Sequence, residues 1–212
     1  MSESLVRVVK VGGSLFDLPE LGPRLEAWLA AQPPASNFLI AGGGDLAESI
    51  RQLDALHHIG EIPAHLLCIR AMGVTARLLL DLLHETALID NLAAARELIA
   101  ARPHKNAVFD PAPMLNTIEP TLGPASLPQG WLVTSDSIAA RVAEVLSAHE
   151  LVLLKSSLPD SESCEAASRS GYVDEYFPSM AARLSLSNTA IRCVNLRNEA
   201  FEEVLLSAEP QR

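Results

Sequence analysis

Short apolar runs that end in glycine alternate, early in the chain, with stretches in which apolar residues recur at helical spacing. The first run, residues 6–11, is rich in β-branched residues and is followed by two glycines, which predicts a buried strand. A second run, residues 38–41, is followed by three glycines. Helical spacing over residues 18–29 and 46–56 predicts a helix after each strand. This order is typical of a doubly wound sheet, so the pattern predicts an α/β sandwich with parallel strands.

The same reasoning assigns the remainder of the chain. It predicts helices over residues 62–83, over 91–101 with Pro103 as the stop, after residue 134, over 178–186 and over 198–206. Strands are predicted over residues 107–109, 131–133, 151–154 and 191–194. Loops are predicted over residues 111–128 and 156–171, which are rich in proline or in polar residues. No internal repeat or compositional boundary interrupts the sequence, so one domain over residues 1–212 is expected.

Composition places the chain among globular proteins with an aliphatic core. Of the 212 residues, 49% are hydrophobic, 20% are charged and only 4% are aromatic, so leucine, isoleucine, valine and alanine must build most of the interior. No uncharged apolar run reaches the roughly 18 residues that span a bilayer, and the first ten residues lack the order of a signal peptide. A cytoplasmic protein without a membrane partner is therefore expected.

Charge and cysteine usage argue against three further classes of protein. The formal net charge is −10 and no basic run is present, which argues against a nucleic-acid partner, because a phosphate backbone needs clustered cations. A small anionic ligand is still compatible with this charge where local groups or a metal offset the repulsion. Cys68, Cys164 and Cys193 are widely separated and share no Cys-x-x-Cys spacing. Neither a disulfide framework nor a zinc site is indicated.

The two glycine-rich turns are the first candidates for chemistry. A strand that runs through glycines into a helix aims backbone N–H groups and the positive end of the helix dipole at one point, where phosphate is a common ligand. Neither turn has the spacing of a P-loop or of a dinucleotide-binding fingerprint, and each alone could be an ordinary tight turn. Two such turns at the carboxyl ends of adjacent strands indicate a phosphate site, because ligands bind at that edge of open α/β sheets.

Lysine usage points to the same edge. The chain has 13 arginines but only three lysines, and two of these, Lys10 and Lys155, end apolar strands. A compact ammonium there suits a transferring phosphoryl group, although a basic residue can also simply end a strand. Asp136 lies at a predicted helix start, where it could be an ordinary cap. If the two lysines converge, its carboxylate could instead hold both ammonium groups in position or bind Mg²⁺.

Taken in order along the chain, these motifs resemble the amino acid kinase superfamily. The motifs are Lys-Val-Gly-Gly-Ser from Lys10, Gly-Gly-Gly from Gly42, Thr-Ser-Asp from Thr134, and the apolar strand that ends at Lys155. The superfamily includes aspartate, acetylglutamate, carbamate, UMP and isopentenyl phosphate kinases. The resemblance implies a three-layer α/β/α sandwich with a mainly parallel central sheet, in which ATP and the phosphoryl acceptor lie end to end above the sheet.

The resemblance also implies roles for individual residues. Lys10 would stabilise the transferring phosphoryl group, Asp136 would organise the lysine, and Lys155 matches a lysine that follows the nucleotide-side strand. The implied ligands of the ATP phosphates are Gly12, Gly13, Ser14, Thr134 and Ser135. The glycines implied near the acceptor are Gly42, Gly43 and Gly44. Beyond the strand that ends at Lys155, the family's usual Asp-Val-Asp-Gly type of sequence is replaced here by Ser-Ser-Leu-Pro-Asp-Ser.

Three longer segments narrow the resemblance to one branch of the superfamily. Residues 53–73, 131–143 and 171–178 are similar to the branch related to the aminomethylfuran-methyl phosphate kinase of methanofuran biosynthesis, which belongs to one-carbon metabolism and makes a diphosphate from a phosphate. The candidate acceptor ligands in these segments are His65, Arg70, Met72 and Asp174. Each of them also has an ordinary structural interpretation as a core, surface or loop side chain.

Together, the residues and the resemblance predict a Mg²⁺- and ATP-dependent kinase for a small anionic acceptor, most plausibly an aminomethylfuran-methyl phosphate. One alternative is a kinase for UMP, isopentenyl phosphate or an amino acid carboxylate. Another is a catalytically silent nucleotide- or metabolite-binding protein, which the altered sequence after Lys155 would suit. No protein ligand is assigned to a metal. Apolar helix faces between residues 61 and 101 would suit a homo-oligomer, or else the core.

Overall fold

A computed structural model describes residues 5–101 and 104–208, which alternate between strands and helices. The strands are β1 (Val6–Val11), β2 (Ser36–Ala41), β3 (Ala87–Ile89), β4 (Asn106–Phe109), β5 (Glu150–Lys155), β6 (Ala190–Asn195) and β7 (Glu203–Leu206). The α-helices are α1 (Leu21–Ala31), α2 (Gly44–His57), α3 (Glu61–Asp81), α4 (Leu92–Ala100), α5 (Ala112–Thr117), α6 (Ser135–Val145), α7 (Cys164–Arg169) and α8 (Phe177–Leu186). Short 3₁₀ helices cover Gly13–Asp17 and Glu119–Ala125.

The strands form one sheet in the order β3-β4-β2-β1-β5-β6-β7. Strands β1 to β6 are parallel, and β7 runs antiparallel to β6. Because β1 lies between β2 and β5, Val11 is in register with Ala41 on one side and with Leu154 on the other. The carboxyl ends of these three strands therefore lie side by side, and the residues that follow them meet at one edge of the sheet.

Apolar side chains alternate between the two faces of the sheet. Val6 and Val8 of β1 belong to a buried cluster that includes residues of α4, α6, α7 and α8, whereas Val9 and Val11 belong to a second cluster with α1. The strands thus have helices on both faces. This arrangement is the predicted three-layer α/β/α sandwich with a mainly parallel central sheet.

The same alternation sets the direction of the two strand-end lysines. Lys10 lies two residues beyond Val8, and Lys155 lies two residues beyond Leu153, and both of these apolar residues belong to the cluster that contains α6. Since successive side chains of a strand point to opposite faces, both lysines face the α6 side. Two ammonium groups on adjacent strands are thereby directed at the start of α6, at Ser135.

Most of the predicted helices and strands are confirmed, with shifts of a few residues at their ends, but two predicted elements are wrong. Residues 131–133 form a turn, because their backbone groups bond outside the sheet: the Trp131 N–H donates to Glu61 at 2.7 Å and the Leu132 carbonyl accepts from Tyr176 at 3.1 Å. The predicted helix over 198–206 is replaced by β7, in which the partly or fully buried Val204 and Leu206 alternate with more exposed neighbours.

The predicted loops also contain structure. Residues 111–128 include α5 and a 3₁₀ helix, and residues 156–171 include α7. Strand β3, at the edge of the sheet, was not predicted. Pro103, the predicted stop of α4, lies outside the described residues.

One described helix, α3, is long and apolar enough by length and composition to cross a membrane, with a mean hydropathy of 1.3 in its most apolar window. Half of that window is buried inside the protein, where Ile69 and Met72 pack into one core cluster and Ala76 and Leu79 into the other. These contacts account for its apolar character.

The predicted apolar face of α2 does not pack into the core, since no residue of this helix is buried. The exposed apolar side chains of α2 and α3 are Leu46, Leu53, Leu56, Ile62, Leu67, Val74 and Leu78. The homo-oligomer stays a prediction.

Candidate active site

A buried carboxylate joins the two strand-end lysines. Lys10 Nζ lies 2.8 Å from Asp136 Oδ1, and Lys155 Nζ lies 2.9 Å from Asp136 Oδ2. The three side chains are only 5%, 14% and 7% exposed for Lys10, Lys155 and Asp136, respectively. Strands β1 and β5 supply the lysines and the first turn of α6 supplies the aspartate. Two positive charges are thus held at the carboxyl edge of the sheet by one negative charge.

The electrostatics of this triad follow from its burial and its charge pattern. Burial favours the neutral form of Asp136, but the Lys10 and Lys155 ammonium groups outweigh it and lower the pKa of Asp136 to about 2. Burial lowers the pKa of Lys10 below 10.5, with a further contribution from Lys155, whereas Asp136 opposes the shift. Two ammonium groups around one carboxylate leave one positive charge uncompensated within the triad, which suits an anionic ligand.

The two glycine turns touch each other through their backbones. A Cβ atom on Gly13 would lie 2.5 Å from the Gly44 nitrogen, and one on Gly42 would lie 2.8 Å from the Gly13 nitrogen. On the other side, a Cβ on Gly12 would lie 2.9 Å from the Leu154 carbonyl oxygen. Because Gly44 starts α2, the N–H groups of that first turn have no partner within the helix. The turns after β1 and β2 are two parts of one backbone cradle beside the lysines.

We expect Gly13→Ala to disrupt this cradle. The methyl group would meet backbone atoms of Gly44, so one turn must move, at a cost of about 1–3 kcal/mol in unfolding free energy. If the cradle holds phosphate, ATP affinity falls at least about tenfold, the equivalent of one lost charge-assisted hydrogen bond. Denaturant titration and calorimetry measure the two effects.

Gly123→Ala is the matched control for this substitution. Gly123 has a φ of +56° and a ψ of −130° but no atom within 4 Å of an added Cβ, so the change costs about 1–3 kcal/mol of backbone strain without a clash. Unchanged ATP affinity is expected. Equal losses of ATP affinity in both variants would contradict a specific role for the contact between the two turns.

The Asp174 carboxylate is hydrogen-bonded to the start of α6. Its carboxylate accepts hydrogen bonds from the backbone N–H and the hydroxyl of Thr134 at 2.9 Å each and from the Ser137 N–H at 2.9 Å, and it also accepts from the Ser137 hydroxyl. Burial raises the pKa of Asp174, as does the nearby Asp136 charge, and these hydrogen bonds oppose the rise. The contacts give Asp174 a local capping role at α6, and they occupy the Thr134 groups assigned from the resemblance to ATP phosphates.

A large cavity of about 620 Å³ opens over the triad and the glycine turns. Most of the predicted site residues line it: Lys10, Gly13, Gly43, Gly44, His65, Met72, Thr134, Ser135, Asp136, Lys155 and Asp174. His65 and Met72 are buried in α3, and burial lowers the pKa of His65, which favours the neutral imidazole. Gly12 and Gly42 lie behind this surface, against Leu154 and Gly13, respectively.

A small cavity of about 490 Å³ lies on the other side of Lys155. Ser14 lines it together with residues 156–160, and the hydroxyls of Ser14 and Ser156 are 3.0 Å apart. The two cavities share Lys155, Gly171 and Tyr172. The two cavities therefore meet at Lys155, the lysine that ends β5.

Arg70 is a predicted acceptor ligand that the structure places outside both cavities. Its side chain is exposed on α3 and is not among the residues that line either cavity. Helical geometry explains the difference, because His65 and Met72 are seven positions apart on one face, whereas Arg70 points elsewhere on the helix.

Sequence reasoning missed several residues that line the large cavity. Tyr172 holds Lys155 through its backbone carbonyl and through its ring, whose centroid is 4.5 Å from Lys155 Nζ. Trp131 and Arg51 lie together in the wall of the large cavity, and Arg169 also lines this cavity. Trp131 was assigned to a strand and Arg51 to an ordinary helix. Their signal in the sequence is weak, because only the folded chain brings a loop and a helix side by side.

Comparison with known proteins identifies a relative by sequence. No family model matches the chain. The (5-(aminomethyl)furan-3-yl)methyl phosphate kinase of Methanocaldococcus jannaschii is 25% identical over 149 residues, which cover 70% of this chain. The matched region spans 64% of that relative's length. The match bears out the resemblance to this branch of the superfamily.

Solved structures share the fold over nearly the whole chain. Uridylate kinase from Archaeoglobus fulgidus has a TM-score of 0.61 at 15% identity, covering 96% of this chain and 92% of its own. UMP kinase from Ureaplasma parvum has a TM-score of 0.64 at 12% identity, and UMP kinase from Bacillus anthracis has 0.63 at 11% identity. Each covers 96% of this chain and 99% of its own. These likenesses confirm the predicted fold.

Proposed function

We propose that this protein is an ATP-dependent kinase that transfers a phosphoryl group to a small anionic acceptor. The observation that carries the proposal is the pairing of Lys10 and Lys155 with the two oxygens of Asp136, at 2.8 and 2.9 Å, beside two touching glycine turns. Phosphoryl transfer needs positioning and charge neutralisation more than covalent chemistry from the protein. Fixed ammonium groups and backbone N–H groups supply both.

In this proposal the large cavity binds the acceptor and the small cavity binds the nucleotide. An acceptor oxygen forms a bond to the γ-phosphorus of ATP while the bond from that phosphorus to the β,γ-bridging oxygen breaks, which releases ADP. Lys10 stabilises the negative charge on the transferring group, and Lys155, on the wall shared by both cavities, stabilises the leaving phosphate. Asp136 holds both ammonium groups in place and takes no proton, consistent with its pKa of about 2.

The glycine cradle supports ATP as the second substrate. Gly13, Gly43 and Gly44 line the large cavity without a side chain, so the backbone there is open to phosphate. Mg²⁺ would accompany ATP, bound by its phosphate oxygens, and would neutralise part of their charge. Among residues 5–101 and 104–208 no group of three or more His, Cys, Asp or Glu side chains could hold a metal ion, and each Asp136 oxygen already carries a lysine. We therefore assign Mg²⁺ no protein ligand.

For the acceptor we propose a phosphate monoester of the aminomethylfuran-methyl type, with a diphosphate as the product. The support is the 25% identity to the Methanocaldococcus jannaschii kinase of that substrate. UMP is the second candidate, supported by the shared fold with three uridylate or UMP kinases.

A panel of acceptors tests the proposed function. The purified protein with Mg²⁺ and ATP is expected to release ADP only when an acceptor is present, and fastest with aminomethylfuran-methyl phosphate. UMP, isopentenyl phosphate and amino acid substrates such as aspartate are the comparison arms. ATP binding by calorimetry without ADP release from any acceptor would instead favour the catalytically silent alternative.

The pH dependence of turnover gives a further prediction. Burial lowers the pKa of Lys10, so its ammonium is lost at a lower pH than that of an ordinary lysine. We expect kcat/KM, which reports the pKa values of the free enzyme, to fall as the pH rises toward 10.5 and the midpoint of this fall to lie below 10.5. Asp136, with a pKa of about 2, contributes no acidic limb near neutrality. A stopped-time ADP assay with a melting curve at each pH separates this loss from unfolding, and a kcat/KM that stays constant to pH 10.5 contradicts the assignment.

A further inference from the structure

The wall of the large cavity contains a flat cationic surface made by two residues. The Arg51 guanidinium carbon lies 5.4 Å from the centroid of the Trp131 ring. Both residues line the cavity and both are only half-buried. An indole stacked with a guanidinium presents extended planar area, against which a conjugated ring can pack. We call these two residues the ring platform.

Glu61 fixes the backbone of the loop that carries Trp131. Glu61, in the first turn of α3, accepts a hydrogen bond from the Trp131 N–H at 2.7 Å. A Cβ on Gly130 would lie 2.3 Å from Glu61 Oε1, and Gly130 has a φ of +145°. A glycine at this position therefore lets the Glu61 carboxylate reach the backbone. Glu61 binds the backbone of Trp131 and not its indole. The Trp131 side chain can therefore be replaced without removing this hydrogen bond.

The ring platform lies at a suitable distance from the glycine cradle. Arg51 comes seven residues after Gly44 in α2, which corresponds to about 10 Å along the helix axis. If an acceptor phosphate lies beside Lys10 and the glycines, as the proposed function requires, the remainder of a small acceptor extends toward the ring platform. This part of the cavity then decides which phosphate monoester is bound.

Four carboxylates line the large cavity, and two of them are already used. Asp136 holds the two lysines, and Asp174 accepts four hydrogen bonds at the start of α6. The other two are Glu48 and Glu175. Glu48 lies in α2 with its side chain 56% exposed, and its contact with Arg51 is long, at 3.5 Å. It can therefore accept a hydrogen bond from a ligand beside the ring platform.

We propose that the ring platform and Glu48 select the acceptor: Trp131 and Arg51 pack against a flat conjugated ring, and Glu48 binds an ammonium substituent on that ring. The inference rests on the proposed function and specifies its acceptor as a phosphate monoester with a planar ring and a side-chain amine. Glu48 also offsets the charge of Arg51, which alone would repel an amine. An aliphatic phosphate gains from neither contact.

Binding calorimetry tests this selection independently of turnover. The ligands are aminomethylfuran-methyl phosphate, the same compound with methyl in place of aminomethyl, and isopentenyl phosphate. The variants are Trp131→Leu, Glu48→Gln and, as the matched carboxylate in the same cavity, Glu175→Gln. Arg70→Ala is the control for Arg51→Ala, because Arg70 is exposed on the neighbouring helix and lines neither cavity.

We expect Glu48→Gln to weaken the amine ligand at least about tenfold, as for a lost hydrogen bond to a charged group, and to leave the methyl analogue unchanged. Trp131→Leu should weaken both furan ligands by roughly tenfold and isopentenyl phosphate by much less. Arg51→Ala should weaken both furan ligands, whereas Arg70→Ala and Glu175→Gln should change nothing.

Three results would overturn the inference. One is an equal effect of Glu48→Gln on the amine and its methyl analogue, and another is an amine-specific loss in Glu175→Gln. The third is wild-type protein that binds isopentenyl phosphate as tightly as the furans. Failure of the proposed function has a separate signature: ligands bind with the expected pattern but no ADP is released. Melting curves and near-ultraviolet circular dichroism confirm that each variant is folded.

Discussion

Lys10→Met is expected to lower kcat by at least about 10²–10³-fold, the usual loss when a preorganised group that stabilises transition-state charge is removed. The ammonium of Lys10 is buried beside the glycine cradle, and its removal leaves Lys155 as the remaining ammonium on Asp136. Methionine keeps the length and apolar stem of the side chain. Because Asp136 retains its pair with Lys155, the variant should still fold. Single-turnover ADP formation measures the loss.

Lys105→Met is the matched control, since Lys105 is the third lysine of the chain and is exposed. It should retain the turnover of the unaltered protein. For Lys10→Met we expect a large loss in kcat with a small change in the KM for ATP, because the interaction is strongest in the transition state. Normal turnover in a folded Lys10→Met protein would rule out the site assignment.

Asp136→Asn is expected to have the largest effect on stability, a loss of about 3–5 kcal/mol in unfolding free energy at neutral pH. The substitution leaves two buried ammonium groups facing each other without a counter-charge. Turnover should fall with it, because the repulsion moves the lysines apart. Urea titration followed by circular dichroism measures the change in unfolding free energy. The double variant that combines Lys10→Met with Asp136→Asn should recover part of this stability, because it removes one of the two buried ammonium groups.

The pH dependence identifies the cause of this loss. Burial lowers the pKa of Lys10 and the Asp136 charge opposes that shift, so removing the charge lowers the pKa further. Between this folded-state value and the unfolded value of 10.5, the unfolded chain binds more protons, and stability rises with pH. The deficit of Asp136→Asn should therefore shrink as the pH is raised toward 10.5.

Asp110→Asn provides the comparison. Asp110 is also a buried carboxylate after a strand, but its partner Arg77 is 60% exposed and stays hydrated when the charge is removed. A smaller loss without this pH dependence is expected. An Asp136→Asn deficit that is equally large at all pH values would show that the loss comes from packing, not from uncompensated lysine charge.

The part of the site on β1 and β5 could be predicted because it follows from local patterns. An apolar run marks a buried strand, and in a parallel sheet its last residue lies at the carboxyl edge, where Lys10 and Lys155 are found. The glycine turns after β1 and β2 could also be predicted, because they too follow from a local sequence pattern. The missed β7 and the wrongly predicted strand at residues 131–133 are short segments, in which a few side chains carry little periodicity.

The acceptor side was harder to predict because its residues come from separate elements. Arg70 and Met72 are near neighbours in α3, yet only Met72 reaches the cavity, since side-chain direction depends on which face of the helix packs inward. Asp174 lines the large cavity, as an acceptor ligand would, but the hydrogen bonds that its carboxylate makes are with Thr134 and Ser137 at the start of α6, so the acceptor role stays a prediction. A loop carboxylate gives no sequence signal that separates these two uses.

By itself the sequence determined the α/β order of the chain, the strands that carry the two lysines and the turns that must be glycine, because burial and backbone sterics act on neighbouring positions. Only the tertiary structure decided that one carboxylate holds both lysines, that Gly13 touches Gly44, and that Glu61 fixes Trp131 from 70 positions away. Such contacts depend on how separate elements converge in space. Local periodicity carries no information about which distant positions of the chain come into contact.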